Sequence, residues 1–201
     1  MTSREEILER VRRNQPVAVE LPAHFQQGIT FADPREQFLK VLEQVGGNGT
    51  VASDLVDAES FVRTLPVMLD AKIVVSLVKP IKLGNLDINT VGEPHELAGV
   101  DVAIAQGNFG VAENAAIWVT DENLRHRAIY FICQHLVLLV QASDIVSNMH
   151  QAYERLAGAF DRPGFSGFIS GPSKTADIEQ SLVIGAQGPR SLTVILVESG
   201  L

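Results

Sequence analysis

The chain has 201 residues, a formal net charge of −8 and a single cysteine. A chain of this length and ordinary apolar content can bury one sizeable core, and its acidic balance argues against a nucleic-acid-binding surface. The N-terminus alternates charges with isolated Ile7, Leu8 and Val11, unlike a signal peptide, and the most apolar stretch, residues 130–140, is too short to span a bilayer. We therefore expect a cytoplasmic protein.

The first half of the sequence predicts three helices and two strands. The first helix carries Arg10, Arg12 and Arg13, which indicate a solvated helix face. Asp33-Pro34 predicts the N-cap and first residue of the second helix, and Gly46-Gly47 predicts its end. The next predicted elements are a strand at 49–52, a helix at 57–69 and a buried strand at 72–78.

The second half predicts strands interleaved with helices. A helical turn is expected at 94–98, and a helix is expected at 144–157. The predicted strands are residues 100–105, 115–119, 128–133 and 136–140. This alternation predicts an α/β fold with one mostly parallel open sheet, flanking helices and room for one antiparallel excursion.

Residues 168–198 predict a strand, a turn, a helix, a second turn and a final strand without a break. Gly171-Pro172 follows the apolar pair Phe168-Ile169. Thr175 is the expected N-cap of a helix that Gly185 closes. The apolar run at 192–197 is typical of a strand that is covered on both faces. We expect a crossover unit whose polar turn faces a ligand.

That polar turn is the predicted ligand site, because open α/β sheets bind ligands where strands end and helices begin. Free backbone N–H groups there would suit an anion. The candidate ligand-binding residues are Gly171, Ser173, Lys174, Thr175 and Asp177. An equally strong interpretation is that Ser173 and Thr175 cap a helix and that Lys174 is a solvated surface charge. The glycine spacing of a P-loop is absent.

Two segments resemble the LUD-domain family, which is typified by lactate utilization protein C. The first is GPSKTADIEQSLVIGAQGPRSLTVILV, in which Lys174 stands where the family usually has arginine and Gln187 where it has histidine. The second is VDVAIAQGNFGVAENAAIWVT, in which residues 112–116 read Ala-Glu-Asn-Ala-Ala where the family usually has Ala-Glu-Thr-Gly-Thr. Lysine keeps the positive charge of arginine but loses its planar fork.

The resemblance implies the NagB/RpiA/CoA transferase-like fold. The resemblance extends over roughly the C-terminal two thirds of the chain, and the first third is placed only by its pattern. We expect a single LUD domain over residues 1–201, with a mainly helical N-terminal extension at 1–50 and an α/β core at 51–201. For function, the resemblance implies a subunit of a cytoplasmic system that oxidises L-lactate to pyruvate, with two companion proteins of which at least one carries an iron–sulfur cluster.

Within this chain we expect no cofactor and no metal. Cys133 is the only cysteine, so an iron–sulfur cluster of the usual cysteine-rich kind cannot be built from it. The five histidines lack a ligand spacing such as His-Glu-x-x-His. If the lactate-utilization interpretation holds, redox chemistry comes from the iron–sulfur partner subunits, and this chain contributes assembly or a site for a small anionic metabolite.

Glu113 is the candidate catalytic residue, because it lies between apolar runs where burial would favour its neutral form and make it a base or nucleophile. The Glu113-Asn114 step also resembles the Glu-Asn-Gly step of class I CoA transferases, in which the glutamate attacks an acyl group. The alternative function is thus a stand-alone CoA-transferase-like or metabolite-binding enzyme. A carboxylate that bonds a neighbouring loop for structural reasons explains Glu113 equally well.

Three further residues are candidate ligand-binding groups. Asn108 belongs to a glycine-containing loop, 106–110, and could bond a ligand, although a plain turn explains it as well. His135 lies within a predicted apolar strand pair, where a histidine satisfied by neighbouring groups is the stronger interpretation. Asn85 lies in the loop after the strand at 72–78.

Overall fold

The computed structural model describes residues 2–17, 19–20, 28–158, 164–175 and 183–201. Side-chain caps mark where most of its longer helices begin, with Thr2, Asp33, Asp54 and Asn148 accepting backbone N–H groups of the first turn. The helices are α1 Ser3–Arg13, α2 Pro34–Gln44, α3 Leu55–Thr64, α4 Pro66–Leu69, α5 Ile129–Ile132 and α6 Met149–Arg155. Short 3-10 helices lie at Ile88–Thr90, Pro94–Gly99 and Ala142–Asp144.

The strands of the described residues fall into two sheets and one short hairpin. They are β1 Asn48–Ala52, β2 Val74–Ser76, β3 Val102–Gln106, β4 Phe109–Val111, β5 Ala116–Thr120, β6 His135–Gln141, β7 Ile145–Val146, β8 Ser166–Ile169, β9 Lys174–Thr175, β10 Val183–Ile184 and β11 Ser191–Val197.

The central sheet has five strands in the order β1-β11-β6-β3-β2, and all of its pairings are parallel. His135 is paired with both Val102 and Ser191, so the middle strands begin at the same level. We call this side of the sheet the amino edge and the opposite side the carboxyl edge. The prediction of a mostly parallel sheet with flanking helices is confirmed.

A second sheet of four strands, β7-β4-β5-β8, lies beside the central one and is mainly antiparallel. Its centre is the hairpin of β4 and β5, in which Phe109 pairs with Trp118 and Val111 pairs with Ala116. The sequence predicts one antiparallel excursion in a single sheet. Instead, the excursion forms a sheet of its own.

The core has layers because alternate residues of the central strands face opposite sides. On β6, Leu138 belongs to the apolar cluster shared with α2, β5 and α5, whereas Leu139 belongs to the cluster shared with α3. The outer face of the second sheet packs Trp118 against α6 through Ala152 and Leu156. The layers are therefore helix, central sheet, second sheet and helix.

Several predicted elements of the first half are confirmed, with changed ends. The second helix begins with Asp33-Pro34, and the N–H of Gly47 bonds the Leu42 carbonyl after the last turn. The helix expected at 57–69 begins earlier and is divided at Leu65, whose ψ of 132° is extended because Pro66 follows. The buried strand expected at 72–78 is limited to β2.

Three elements of the second half were predicted wrongly. Residues 128–133 form helix α5 rather than a strand, with the N–H of Ile132 bonded to the Ala128 carbonyl. The helix expected at 144–157 begins only at Met149, because Ile145 and Val146 pair with β4. Strand β4 lies in a segment that was predicted to be a loop. The apolar residues of these segments are compatible with a helix or a strand. Whether a neighbouring strand was available for pairing therefore determined which structure formed.

The 168–198 segment is not the predicted crossover unit. Strand β8 pairs antiparallel with β5 in the second sheet, whereas β11 lies at the predicted place in the central sheet. Val183, expected within a helix, pairs with Thr175, and Gly185 follows a strand rather than a helix. The middle of the expected helix, residues 176–182, lies outside the described residues.

Among the described helices, none has the length and apolar character needed to cross a bilayer.

Candidate functional site

A cleft of about 460 Å³ opens at the carboxyl edge of the central sheet, where β2 and β3 end. Parallel sheets bind ligands beyond the carboxyl ends of their strands, and this volume is typical of small-molecule sites. We call it the carboxyl-edge cleft. Its polar lining includes Ser76, Lys79, Gln106, Asn108, Thr120 and Tyr130.

Gln106 and Asn108 present side-chain amides to the cleft from the turn between β3 and β4. The N–H of Gly107, between them, donates to the Leu139 carbonyl at 2.8 Å, which fixes the turn on the central sheet. A Cβ at Gly107 would lie 2.3 Å from Ile117 Cγ2, so the turn requires glycine there. Within the described part of the chain, no hydrogen bond engages either amide, and both residues are exposed. Both amides therefore remain available to a ligand.

Tyr130 forms the most buried part of the polar lining. Its hydroxyl donates to the Thr120 carbonyl at 3.0 Å. Burial, with a contribution from the Asp121 carboxylate, raises the pKa of Tyr130 to about 12. The phenol is therefore neutral at physiological pH, and it provides a fixed ring and a hydroxyl oxygen.

Among the described residues, the cleft is lined by one ammonium and two carboxylates. The ammonium belongs to Lys79, which is exposed and which no ion pair within the described residues holds. The Asp87 carboxylate accepts from the Asn89 backbone N–H at 2.9 Å and from the Asn89 side chain at 3.0 Å. Glu122 is the second carboxylate.

Glu113 lies far from this cleft, at the closed tip of the β4–β5 hairpin. The burial expected for it is wrong, because the residue is exposed. Its Oε2 accepts from the Met149 N–H, at the start of α6, at 2.9 Å. The next residues form a tight turn, in which Asn114 Oδ1 accepts from the Ala116 N–H and Ala115 has a φ of 52°. The visible role of this carboxylate is to cap a helix.

Gly171 and Lys174 lie at the amino edge, against the end of α2. The Lys174 ammonium donates to the Val45 carbonyl, which is one of the carbonyl groups that a helix end leaves without a partner. Gly171 is buried with a φ of 73°, and a Cβ there would lie 2.7 Å from the same carbonyl oxygen. Both residues attach the 168–198 segment to α2.

Ser173 and Thr175 belong to the same attachment. The Ser173 N–H donates to the Pro189 carbonyl at 2.9 Å, just before β11 begins. Thr175 pairs with Val183 in the β9–β10 hairpin, so it is not positioned by the expected helix cap. Asp177 lies outside the described residues.

His135 lines a separate cleft of about 380 Å³ at the amino edge, together with Arg190 and Asp101. Its Nδ1 lies 2.8 Å from the Ser191 hydroxyl on the neighbouring strand. Burial first, and then the nearby Arg190 charge, lower the pKa of His135, while the Asp101 carboxylate opposes this. The histidine is therefore a neutral, hydrogen-bonded group near pH 7.

Asn85 is used by the main chain of β2. Its Oδ1 accepts from the Val74 N–H at 2.8 Å, and its Nδ2 donates to the Lys72 carbonyl at 2.7 Å. The side chain thus covers the outer edge of the central sheet, and it lies outside the lining of the two clefts described above.

The structure brings some of the predicted residues together and separates others. The Ser170 hydroxyl donates to the Asn114 carbonyl at 2.7 Å, so the Glu113 turn contacts the start of the GPSKTAD segment. Asn108 lies at the other end of the same hairpin, since its N–H bonds the Trp118 carbonyl at the open end.

Much of the carboxyl-edge cleft was not predicted from the sequence. Among its polar groups, Ser76, Lys79, Gln106 and Tyr130 were not proposed as site residues. A signal existed for three of them, because Ser76, Lys79 and Gln106 end or follow two buried strands that are neighbours in a parallel sheet. Tyr130 had no such signal, because its segment was taken for a strand.

Metal-ligating side chains do not gather in the part of the chain that the structure describes: no three His, Cys, Asp or Glu residues there could hold one ion. Cys133 is buried, and burial raises the pKa of its thiol to about 12. The thiol is therefore a poor nucleophile and metal ligand at neutral pH.

Solved structures include one with the same fold. The crystal structure of a DUF162 family protein from Deinococcus radiodurans superposes with a TM-score of 0.64 over 85% of this chain and 99% of that chain. The sequences are 18% identical, so the likeness concerns the fold alone.

Curated relatives include two proteins named lactate utilization protein C. The protein from Shouchella clausii is 32% identical over 117 residues, which are 57% of this chain and 50% of the relative. The protein from Geobacillus kaustophilus is 34% identical over 101 residues, which are 48% of this chain and 42% of the relative. The chain thus spans about half the length of the curated relatives it matches.

The sequence model of the LUD domain matches residues 94–197. This region includes both segments on which the resemblance was based, from Val100 to Thr120 and from Gly171 to Val197. It covers slightly more than half of the chain. The chain belongs to the LUD-domain family.

Proposed function

We propose that this chain is the LUD-domain subunit of a cytoplasmic system that oxidises L-lactate to pyruvate together with iron–sulfur partner subunits. The observation that carries the proposal is the similarity, at 32% and 34% identity, to proteins named lactate utilization protein C. The residues that the LUD-domain model matches, 94–197, include the GPSKTAD segment and the β4–β5 hairpin.

In this proposal the chain supplies a ligand site and contacts for assembly, and the partners supply the redox centres. Its one cysteine is buried and protonated, so this chain cannot build an iron–sulfur cluster of the usual cysteine-rich kind, and the proposal assigns those clusters to the partners. The carboxyl-edge cleft provides an ammonium and two side-chain amides that no described residue engages, and these suit a small anionic metabolite.

The test is purification of the tagged full chain from its native cells grown on L-lactate, with the co-purifying proteins identified by mass spectrometry. We expect an iron–sulfur protein and a second redox subunit in comparable amounts. Deletion of the gene should abolish growth on L-lactate and leave growth on pyruvate unchanged. Unchanged growth on L-lactate after deletion would overturn the proposal.

A second candidate is a stand-alone enzyme of CoA-transferase type with Glu113 as nucleophile or base. The observation in its favour is that the carboxylate is exposed, with one oxygen bonded to Met149, beside the start of the GPSKTAD segment. Glu113→Gln should then abolish turnover of an acyl-CoA without unfolding the protein. Absence of CoA and acyl-CoA binding by the purified protein would eliminate this candidate.

A further inference from the structure

We propose that the carboxyl-edge cleft binds a polyhydroxylated monocarboxylate of monosaccharide size, with Lys79 holding the carboxylate and the amides of Gln106 and Asn108 holding hydroxyl groups. The inference rests on the proposed function only in taking this cleft as the ligand site. It names a ligand class other than lactate.

The size of the cleft favours an occupant larger than a three-carbon acid. The cleft has a volume of about 460 Å³, within the range of sites that enclose much larger metabolites. A molecule as small as lactate would leave most of the lining in contact with water.

Charge limits the ligand to one negative group. Among the described residues of the lining, Lys79 is the only lysine or arginine, and the Asp87 carboxylate lies in the same lining. A phosphate ester would bring nearly two negative charges toward this carboxylate and one ammonium, which is unfavourable. A single carboxylate matches the one ammonium and is repelled less.

The other polar groups of the lining favour a ligand that carries hydroxyl groups. An amide both donates and accepts, as does a ligand hydroxyl, and the Gln106 and Asn108 amides have no partner among the described residues. A carboxylate only accepts, so Asp87 favours a ligand that carries O–H donors. The hydrogen bond of Gly107 fixes the turn between the amides, so binding must order their side chains but not the backbone that carries them.

The probes are gluconate, glucose, glucose 6-phosphate and L-lactate, titrated calorimetrically into the full chain. We expect gluconate to bind about tenfold or more tightly than each of the others. Lys79→Met should weaken gluconate binding by about tenfold, because it removes the charge that holds the carboxylate. The matched control is Lys40→Met, which removes the same charge from an exposed position on α2.

Four results would overturn the inference: gluconate fails to bind, glucose binds as tightly as gluconate, glucose 6-phosphate binds more tightly, or Lys79→Met leaves gluconate binding unchanged. Thermal unfolding of both lysine variants verifies that they are folded. Co-purification with redox subunits is a separate experiment. If the chain binds gluconate but no redox subunit co-purifies, only the proposed function is contradicted. If redox subunits co-purify but gluconate does not bind, only the proposed ligand is contradicted.

Discussion

At the scale of single residues, Gly171 is a position that only glycine fits. Its φ of 73° strains other residues, and a Cβ there would lie 2.7 Å from the Val45 carbonyl oxygen. We expect Gly171→Ala to lower the free energy of unfolding by roughly 1–3 kcal/mol, because the turn and the end of α2 must move apart. Urea denaturation measures this change.

Gly99→Ala is the matched control for that substitution. Its added Cβ would lie 3.5 Å from Ile73 Cδ1, an ordinary contact, and its backbone is not left-handed. We expect its free energy of unfolding to change by about 0.5 kcal/mol or less. Equal stability of the two variants would show that Gly171 is not strained.

His135 should make stability depend on pH. Burial and the Arg190 charge lower its folded-state pKa below the ordinary value of 6.5, so the unfolded chain takes up the proton more readily. Its contribution to stability is therefore complete above pH 6.5 and is lost as the pH falls through the lowered pKa. The urea midpoint of the native chain should decrease between pH 7 and about pH 5.

The urea midpoint of the His135→Gln variant should decrease less over that pH interval, because glutamine does not titrate. His95→Gln, at an exposed position, is the control and should follow the native chain. If all three proteins lose stability in parallel, His135 is not the group responsible.

At the scale of elements, the carboxylate of Asp101 holds the start of β2. Its Oδ2 accepts from the N–H groups of Lys72 at 2.7 Å and Ile73 at 2.9 Å. These bonds, that of Ile73 first, lower the pKa of Asp101. We expect Asp101→Ala to lower the free energy of unfolding by about 1–3 kcal/mol, measured by urea denaturation at pH 7.

Asp70→Ala is the control, because Asp70 lines the same amino-edge cleft and is exposed. Its substitution should change the free energy of unfolding by about 0.5 kcal/mol or less. The difference in the free energy of unfolding between the native chain and Asp101→Ala should also decrease as the pH drops below 3.8, where the carboxyl group is protonated in the unfolded chain. A constant difference from pH 7 to pH 3 would contradict this assignment.

Helix ends were more predictable than short strands. Asp33-Pro34 and Gly46-Gly47 act through neighbours in the chain, so their local chemistry was enough to place α2. Strand β7 has two residues, and it exists because Ile145 and Val146 pair with β4. No pattern within two residues can specify such a partner.

At the scale of the whole molecule, the layer between the two sheets carries much of the stability. Leu138 is fully buried there, in the cluster shared with α2 and β5. Leu138→Ala should lower the free energy of unfolding by about 2–5 kcal/mol, because it removes apolar contacts and leaves a cavity. Leu69→Ala, at 81% exposure, should change it by about 0.5 kcal/mol or less.

Urea denaturation of the two variants under identical conditions measures both changes in the free energy of unfolding. Similar losses in the two variants would show that the layer between the sheets is not a tightly packed core.

The sequence by itself determined the α/β class, the buried parallel strands and the family, because apolar periodicity, caps and the GPSKTAD segment are local properties of the chain. Only the tertiary structure decided that the antiparallel strands form a second sheet, that Glu113 is exposed at a hairpin tip, and that Lys174 bonds the end of α2. It also gathered Lys79, Gln106 and Tyr130 around one cleft. These features depend on strand partners distant in the chain, which no short window of sequence specifies.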